Sequence, residues 1–510
     1  MKPHAPRPPL SLRLTILLLT ALEFLQAGMI AFAAGPIMGE IGAAPEEFSL
    51  AAACYASVAI VTISKQRWLV ERLGWRNFVL LSLGFFIFGS IVCAGSSSYQ
   101  QFLLGRAVMG LGGAAFMTSG RVIVNLIPPS PMRFIGIKYF ATGLALGIAM
   151  APGLASWTVA QDSWNVIFVI LSTVAGITGV FAAVSLPTEL VAKDLRTQSH
   201  PILFMSLASG SFLLLYTLQR SQYDFFSDVT LLVTGGSVAA FALYYFFRAI
   251  YRHERPLLEL NALKQPRYIA GVGLFTLCYV LLGANNYMLP VLMQRTLGFS
   301  WQTVGKFQTL GLLSALAGWF VMAWMIPKWP GAKKFFVVGF GALAIFGWQL
   351  SRLNGSADLW LDVLPALTGN GIFLMFVMAT TAMQTFRDVQ HNETVLSHAQ
   401  QLKNMLAQFG MALGVALATL SLQWRTTEHY AVLNGRFSTG DPVYIHHIQQ
   451  FADTLTAGVG GAQSMSLAVA QLAQLLSQQA TLLACLDYFS AIAFIGLLGL
   501  VIMQTQRLMK

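Results

Sequence analysis

Long apolar runs separated by short polar breaks make up almost the whole chain. Apolar windows of about 20 residues, the length that crosses a bilayer as a helix, fall near 12–34, 49–66, 77–97, 100–126, 134–158, 164–186, 201–219, 228–249, 268–290, 304–326, 335–352, 359–385, 396–424 and 480–503. The pattern predicts fourteen transmembrane helices, an all-α polytopic membrane protein, and an even count places both termini on one side. Two of the breaks, Pro187 to Pro201 and Tyr251 to Arg267, are charged and proline-bearing and read as linkers. They divide the chain into a six-helix half over 12–187, a two-helix insert with its linkers over 188–266, and a second six-helix half over 267–503. The second half holds a long loop over 425–479, with turn signals at Asn434-Gly435 and Asp441-Pro442. Met465, Ala468, Leu472 and Leu475 then recur at helical spacing and lead into the last span. No primary-sequence repeat relates the two halves.

Composition agrees with the pattern. The 510 residues are 56% hydrophobic and 10% charged, where a soluble domain carries about 25% charged residues, and mean hydropathy is +0.65. The net charge of +11 is unevenly distributed. Of the 31 lysines and arginines, Arg220, Arg295, Arg352, Arg425 and Arg436 lie in one set of alternating loops, and Arg106, Arg121, Lys138, Lys306 and Lys403 lie within spans. All the others fall in the opposite loops and the two termini, which positive-inside bias assigns to the cytoplasm. Those loops meet anionic lipid headgroups, so the bilayer accounts for the basicity and no nucleic acid is needed. The basic N-terminus precedes a run too long for a cleaved signal, and it reads as an uncleaved first span. Cys54, Cys93, Cys278 and Cys485 sit in apolar runs, with neither disulfide nor metal-ligand spacing. His391, His398, His429, His446 and His447 form no ligand motif, and no P-loop for ATP hydrolysis occurs. Neither a cofactor, a metal nor an enzymatic centre is expected.

Candidate chemistry starts in Gln100 to Leu126, where Arg106 lies well inside an apolar helix and Gly110, Gly112 and Gly113 follow. A cation at that depth usually faces a protein interior or a watery cavity, and small residues let a neighbouring backbone approach. Together they point to a bundle around a polar pathway.

Several motifs carry a family resemblance. Within Lys65 to Arg76, the residues Glu71, Arg72, Gly74 and Arg76 match the acid, first base, glycine and second base of the signature loop of the major facilitator superfamily; Gln66 stands where its leading glycine is usual. This short basic segment reads as a gating clamp between two helices. Arg106, Gly110 and Gly112 resemble the superfamily's fourth-helix motif. Gly143, Gly147, Pro152 and Gly153 resemble the antiporter motif of exporters, with Ala151, Ala155 and Ser156 at its other glycine positions. Leu289-Pro290, Gln294, Leu297 to Ser300 and Gly305, with Gly369-Asn370-Gly371 and Gln479 to Phe489, look like segments of the fourteen-spanning drug:proton antiporters of the EmrB/QacA type. That family usually has an aspartate in its first helix where Ala27 stands here, and an arginine in span thirteen where Ala407 stands. Glu23 and Lys403 each sit one helical turn before those positions.

The resemblance implies a major facilitator fold, with two six-helix halves plus the two-helix insert, working by alternating access in the inner membrane of a bacterium. Its partners would be protons, a small-molecule substrate, the bilayer, and a periplasmic adaptor docked on the long outer loop. Glu23, about 11 residues or roughly 16 Å into its span, is the expected proton-coupling acid, because a carboxylate in a low-dielectric cavity is suited to load and release protons. Arg106 is its expected companion. Asn285, Asn286, Tyr287, Gln294 and Lys403 are cavity candidates. Lys403, Arg121, Lys138 and Asp487 fall near predicted span ends, where snorkelling to the interface is the plain explanation. The expected activity is proton-coupled export of small amphipathic or drug-like molecules. Export of a narrower natural cargo such as a lipid or siderophore, or a non-transporting membrane scaffold, are the other readings.

Overall fold

The computed structural model describes residues 7–113, 116–128, 132–193, 196–198, 200–224, 227–252, 256–435, 445–446, 448–453 and 461–509. The helices in chain order are α1 (Leu10–Phe32), α2 (Ala34–Ile41), α3 (Pro45–Ala94), α4 (Tyr99–Gly113) and α5 (Phe116–Ile123). There follow α6 (Arg133–Val159), α7 (Val166–Ser185), α8 (Pro201–Asp224), α9 (Val229–Tyr251) and α10 (Pro266–Pro290). The last five are α11 (Trp301–Lys328), α12 (Lys333–Leu350), α13 (Leu364–Thr385), α14 (Glu393–Gly435) and α15 (Gly461–Thr505). No strand occurs among the described residues. Thirteen helical segments there are long and apolar enough to cross a membrane. One of them, within α3, runs for 48 residues and is interrupted by non-helical geometry at Gly74. Its two parts are the second and third predicted spans, which explains fourteen windows against thirteen segments.

Three boundaries differ from the sequence expectation. Lys65 to Arg76, expected as a loop, is helical apart from Gly74, because its polar residues are good helix formers and find partners at the helix end. The window 100–126 ends in a short 3-10 turn, Val124–Leu126, and residues 114 and 115 between α4 and α5 lie outside the described residues. The loop expected over 425–479 is shorter: α14 continues to Gly435 and α15 begins at Gly461, so the helical spacing after Met465 belongs to one continuous helix. The turn signal at Asp441-Pro442 and the loop arginine Arg436 lie outside the described residues.

Packing brings distant parts of the chain to one axis. α1 lies against α6 and α7, α3 against α4 and α7, α10 against α13 and α14, and α12 against α13 and α15. α6 packs along α11, and α14 touches α3 and α5. α8 joins α3 and α14, whereas α9 packs chiefly on α8 and leaves Val233, Val238, Phe241 and Tyr244 exposed, as a helix facing lipid does. The close approaches are made by small residues, as the sequence suggested. A Cβ on Gly112 would stand 2.1 Å from the Ser82 carbonyl oxygen of α3. One on Gly143 would stand 2.3 Å from that of Leu17, and one on Gly147 2.6 Å from that of Ala21, both on α1.

Candidate functional site

The tight seat of α1 on α6 sets Glu23 in the middle of the bundle. Its side chain is 6% exposed. Oε1 accepts a hydrogen bond from Gln408 Nε2 of α14 at 3.1 Å, and Oε2 is buried with no hydrogen-bond partner. Glu23 borders a cavity of about 20 Å³ with Ala27, Met117, Tyr279, Asn404 and Gln408, a space near the size of one water. A larger cavity of about 200 Å³ shares Met117 with it and is walled by Phe140, Phe275, Trp319, Met375 and Met378. Its charged lining consists of Arg121 and Lys403.

Lys403 is only 3% exposed, with Nζ 3.8 Å from Met117 Sδ and above the rings of Phe275 and Tyr279 at 5.0 and 5.6 Å. The snorkelling expected of it fails because α14 begins ten residues earlier, at Glu393, and carries Lys403 into the core. Arg121 also borders the cavity, and its Nη1 is buried without a hydrogen-bond partner. Asp487 accepts instead of snorkelling, from Arg425 Nε and His429 Nε2, both at 2.7 Å. Arg106 is buried above the Tyr55 ring at 4.1 Å and donates to Gln26 Oε1 at 3.3 Å. It makes no ion pair with Glu23 among the described residues, so Gln26, three residues after Glu23 on the same helix face, stands as its polar neighbour.

The other cavity candidates disperse. Asn285 is locked within α10, α13 and α15, donating to Asn370 at 3.3 Å and accepting from Tyr488 at 2.8 Å. Asn286 borders a cavity of about 40 Å³ with Phe24 and Gln308. Tyr287 faces an open pocket of about 920 Å³ with Arg295 and Thr426. Gln294 lies in a π-helical turn, Val291–Thr296, with a buried, unpartnered Nε2. Two of this group border cavities adjoining that of Glu23: Lys403 through Met117, and Asn286 through Phe24, Ala27 and Met411.

The signature segment is a clasp, though between other partners than expected. Glu71 accepts from Arg67 Nε at 2.7 Å and from the Thr197 backbone and hydroxyl at 2.7 and 2.8 Å. Arg72 lies on the Trp68 ring and donates to the Thr197 carbonyl at 3.1 Å, and the Arg76 backbone N–H donates to Pro187. Gly74 adopts φ 76°, ψ 161°, and a Cβ there would stand 2.9 Å from the Thr188 carbonyl oxygen. The segment thus ties α3 to the linker after α7. Arg67 extends the tie to α14 through Thr394 Oγ1 at 3.2 Å and Glu393 at 3.6 Å. On α6, Gly143 and Gly147 face α1, and Gly153, the residue after the in-helix Pro152, faces Thr309 of α11.

Residues 16–415 match the family model of the Major Facilitator Superfamily. The chain belongs to that superfamily. It is 22% identical over 448 residues to an uncharacterized MFS-type transporter, YhcA, of Bacillus subtilis, covering 88% of this chain and 83% of that protein. It is 25% identical over 407 residues to the putative multidrug resistance protein MdtD of Escherichia coli O1:K1, covering 78% of this chain and 83% of the relative. Among solved structures it resembles one from work on substrate recognition in proton dependent oligopeptide transporters, with TM-score 0.57, 14% identity and coverage of 97% and 99%. It also resembles the human organic anion transporter MFSD10, with TM-score 0.54, 15% identity and coverage of 96% and 100%. At these identities the structural likenesses speak to the fold. The chain is a multi-pass integral membrane transporter of small molecules, not an enzyme.

Proposed function

We propose that the protein is a proton-coupled exporter of small amphipathic molecules, an antiporter of the fourteen-spanning type in a bacterial inner membrane with both termini in the cytoplasm. The observation that carries this reading is Glu23: a buried carboxylate with one oxygen free of partners, bonded across the bundle to α14 and beside the cavity that holds Lys403. A proton taken up there from outside and released inside would exchange for cargo as the halves 12–187 and 267–503 rock about the midplane. The membrane potential favours that proton movement by about 2.3 kcal/mol per charge per 100 mV. The multidrug name of one relative supports the outward direction. Arg106 holds Gln26 and Tyr55 beside the acid, and Gly143, Gly147, Pro152 and Gly153 form the close seam on which α1, α6 and α11 move. The insert, 188–266, meets these helices through the clasp at Thr188 and Thr197 and through α8 on α3 and α14, and the outward end of α14 and α15 is where a periplasmic adaptor would dock.

A growth panel tests the reading. An efflux-deficient bacterial host expresses wild type or Glu23→Gln at equal membrane level and is challenged with dyes, antibiotics, detergents and fatty acids. Wild type should confer resistance and Glu23→Gln should lose it, with a pH-gradient assay in proteoliposomes showing proton flux only for wild type. Full resistance and unchanged pH dependence in Glu23→Gln would remove Glu23 from the coupling role.

A further inference from the structure

α14 meets its neighbours through a buried polar stripe that the motifs do not mark. Gln401, Asn404 and Gln408 follow one another at spacings of three and four, which puts them on one helix face, and they are 0%, 4% and 7% exposed. Each donates to a different helix. Gln401 Nε2 donates to the backbone carbonyls of Ile63 and Ser64 in α3 at 2.8 and 3.3 Å. Asn404 Nδ2 donates to Thr118 Oγ1 of α5 at 2.5 Å. Gln408 Nε2 donates to Glu23 Oε1 of α1 at 3.1 Å. The first rung adjoins the clasp at Arg67, and the last lies about 10 Å deeper along the helix.

We propose that Gln401, Asn404 and Gln408 form a three-rung latch closing the inward end of the transporter, and that a proton arriving on Glu23 releases its deepest rung. The latch rests on the proposed function for its link to protons, while its geometry stands apart from it. A closed inward end requires α14 to stay on α3 and α5, and these three amides hydrogen-bond across that seam to α3, α5 and α1. A hydrogen bond to a carboxylate is about twice as strong as one to a neutral group. Neutralising Glu23 therefore weakens the Gln408 rung, and linkage makes the converse hold: the latch closes once the acid has lost its proton. The charged and titratable groups facing Glu23 are Lys403 from α14, Arg106 from α4, Tyr55 from α3 and Tyr279 from α10. The resulting order suits an antiporter: a proton loaded from outside unlatches the inward end, opening of that end lets the proton leave, and the anionic acid allows the latch to close again.

The test reads distance directly. Spin labels are placed at Asn77→Cys and His391→Cys, both exposed positions at the inward end, in full-length protein with its four native cysteines replaced. The protein is reconstituted in lipid nanodiscs at pH 8 and pH 5. The short, closed distance should dominate at pH 8 and give way to a longer one at pH 5. Glu23→Gln should show the longer distance at both pH values. Gln401→Leu should raise the open-to-closed ratio by about fivefold, the worth of one hydrogen bond, while keeping the pH response. Asn404→Ala serves as a second latch variant should Gln401→Leu fail to fold. Distances unchanged in a folded latch variant overturn the latch, and a pH response that persists in Glu23→Gln overturns its link to the proton. Distances that respond as expected in a protein that exports nothing keep the latch and remove the exporter.

Discussion

At Gly74 a single residue carries two separate constraints. Its φ of 76° with ψ of 161° lies in a region that side chains rarely enter, and the Thr188 carbonyl occupies the place a Cβ would take. Strain of this kind costs on the order of 1–3 kcal/mol. Gly74→Ala is expected to lower the thermal unfolding midpoint in detergent and to loosen the clasp at Glu71 and Thr197. Gly84→Ala, with nothing within 4 Å of the added carbon, is the control and should leave the midpoint where it is. The glycine was visible in the sequence as part of a motif. Its partner was not, because Pro187 to Thr197 reads as an unstructured linker until the fold lays it against α3. Glu23 shows the same division. Its depth followed from counting residues along the span, but its partner Gln408 lies 385 positions away, and no spacing rule reaches that far.

Helices were legible for a simple physical reason: an apolar run of some 20 residues leaves few other ways to satisfy the backbone in a bilayer. Polar ends were harder, since Lys65 to Leu73 and the residues beyond Arg425 hold a helix through contacts rather than through apolarity. Buried polar side chains on α14 were hardest. The 401, 404, 408 spacing was there to be seen, yet polar residues at helical spacing mark a buried seam only once the helices on the other side are known. The seam between α1 and α6 allows a test at this scale. Gly147→Val places its first added carbon 2.6 Å from the Ala21 carbonyl oxygen, and α1 must move away to accept it. Because Glu23 lies half a turn beyond Ala21, the variant should lose export along with stability, read by the growth panel and by thermal unfolding. Gly176→Val on α7, in open space, should retain both.

For the molecule as a whole, the charge inside the cavity bears on what can cross it. A drug:proton antiporter is readily pictured with an acid that either holds a proton or holds a cationic drug. Here the walls of the 200 Å³ cavity present Arg121 and Lys403, while Glu23 stands behind Met117 in the adjoining space and is engaged by Gln408. A permanently cationic molecule entering between Phe275, Trp319 and the methionines would meet two like charges in a medium that screens them poorly. Amphipaths without a fixed positive charge face no such barrier, and the aromatic and methionine walls suit varied apolar shapes. Export should therefore be weak for quaternary ammonium dyes and stronger for uncharged amphipaths of similar size, compared in cells expressing the wild-type protein. Lys403→Gln removes one of the two cations at nearly constant volume, and it should raise efflux of the quaternary dyes relative to the uncharged set. Equal export of both classes by the wild type, with no change in their ratio for Lys403→Gln, would show that the cargo travels by a route these two cations do not line.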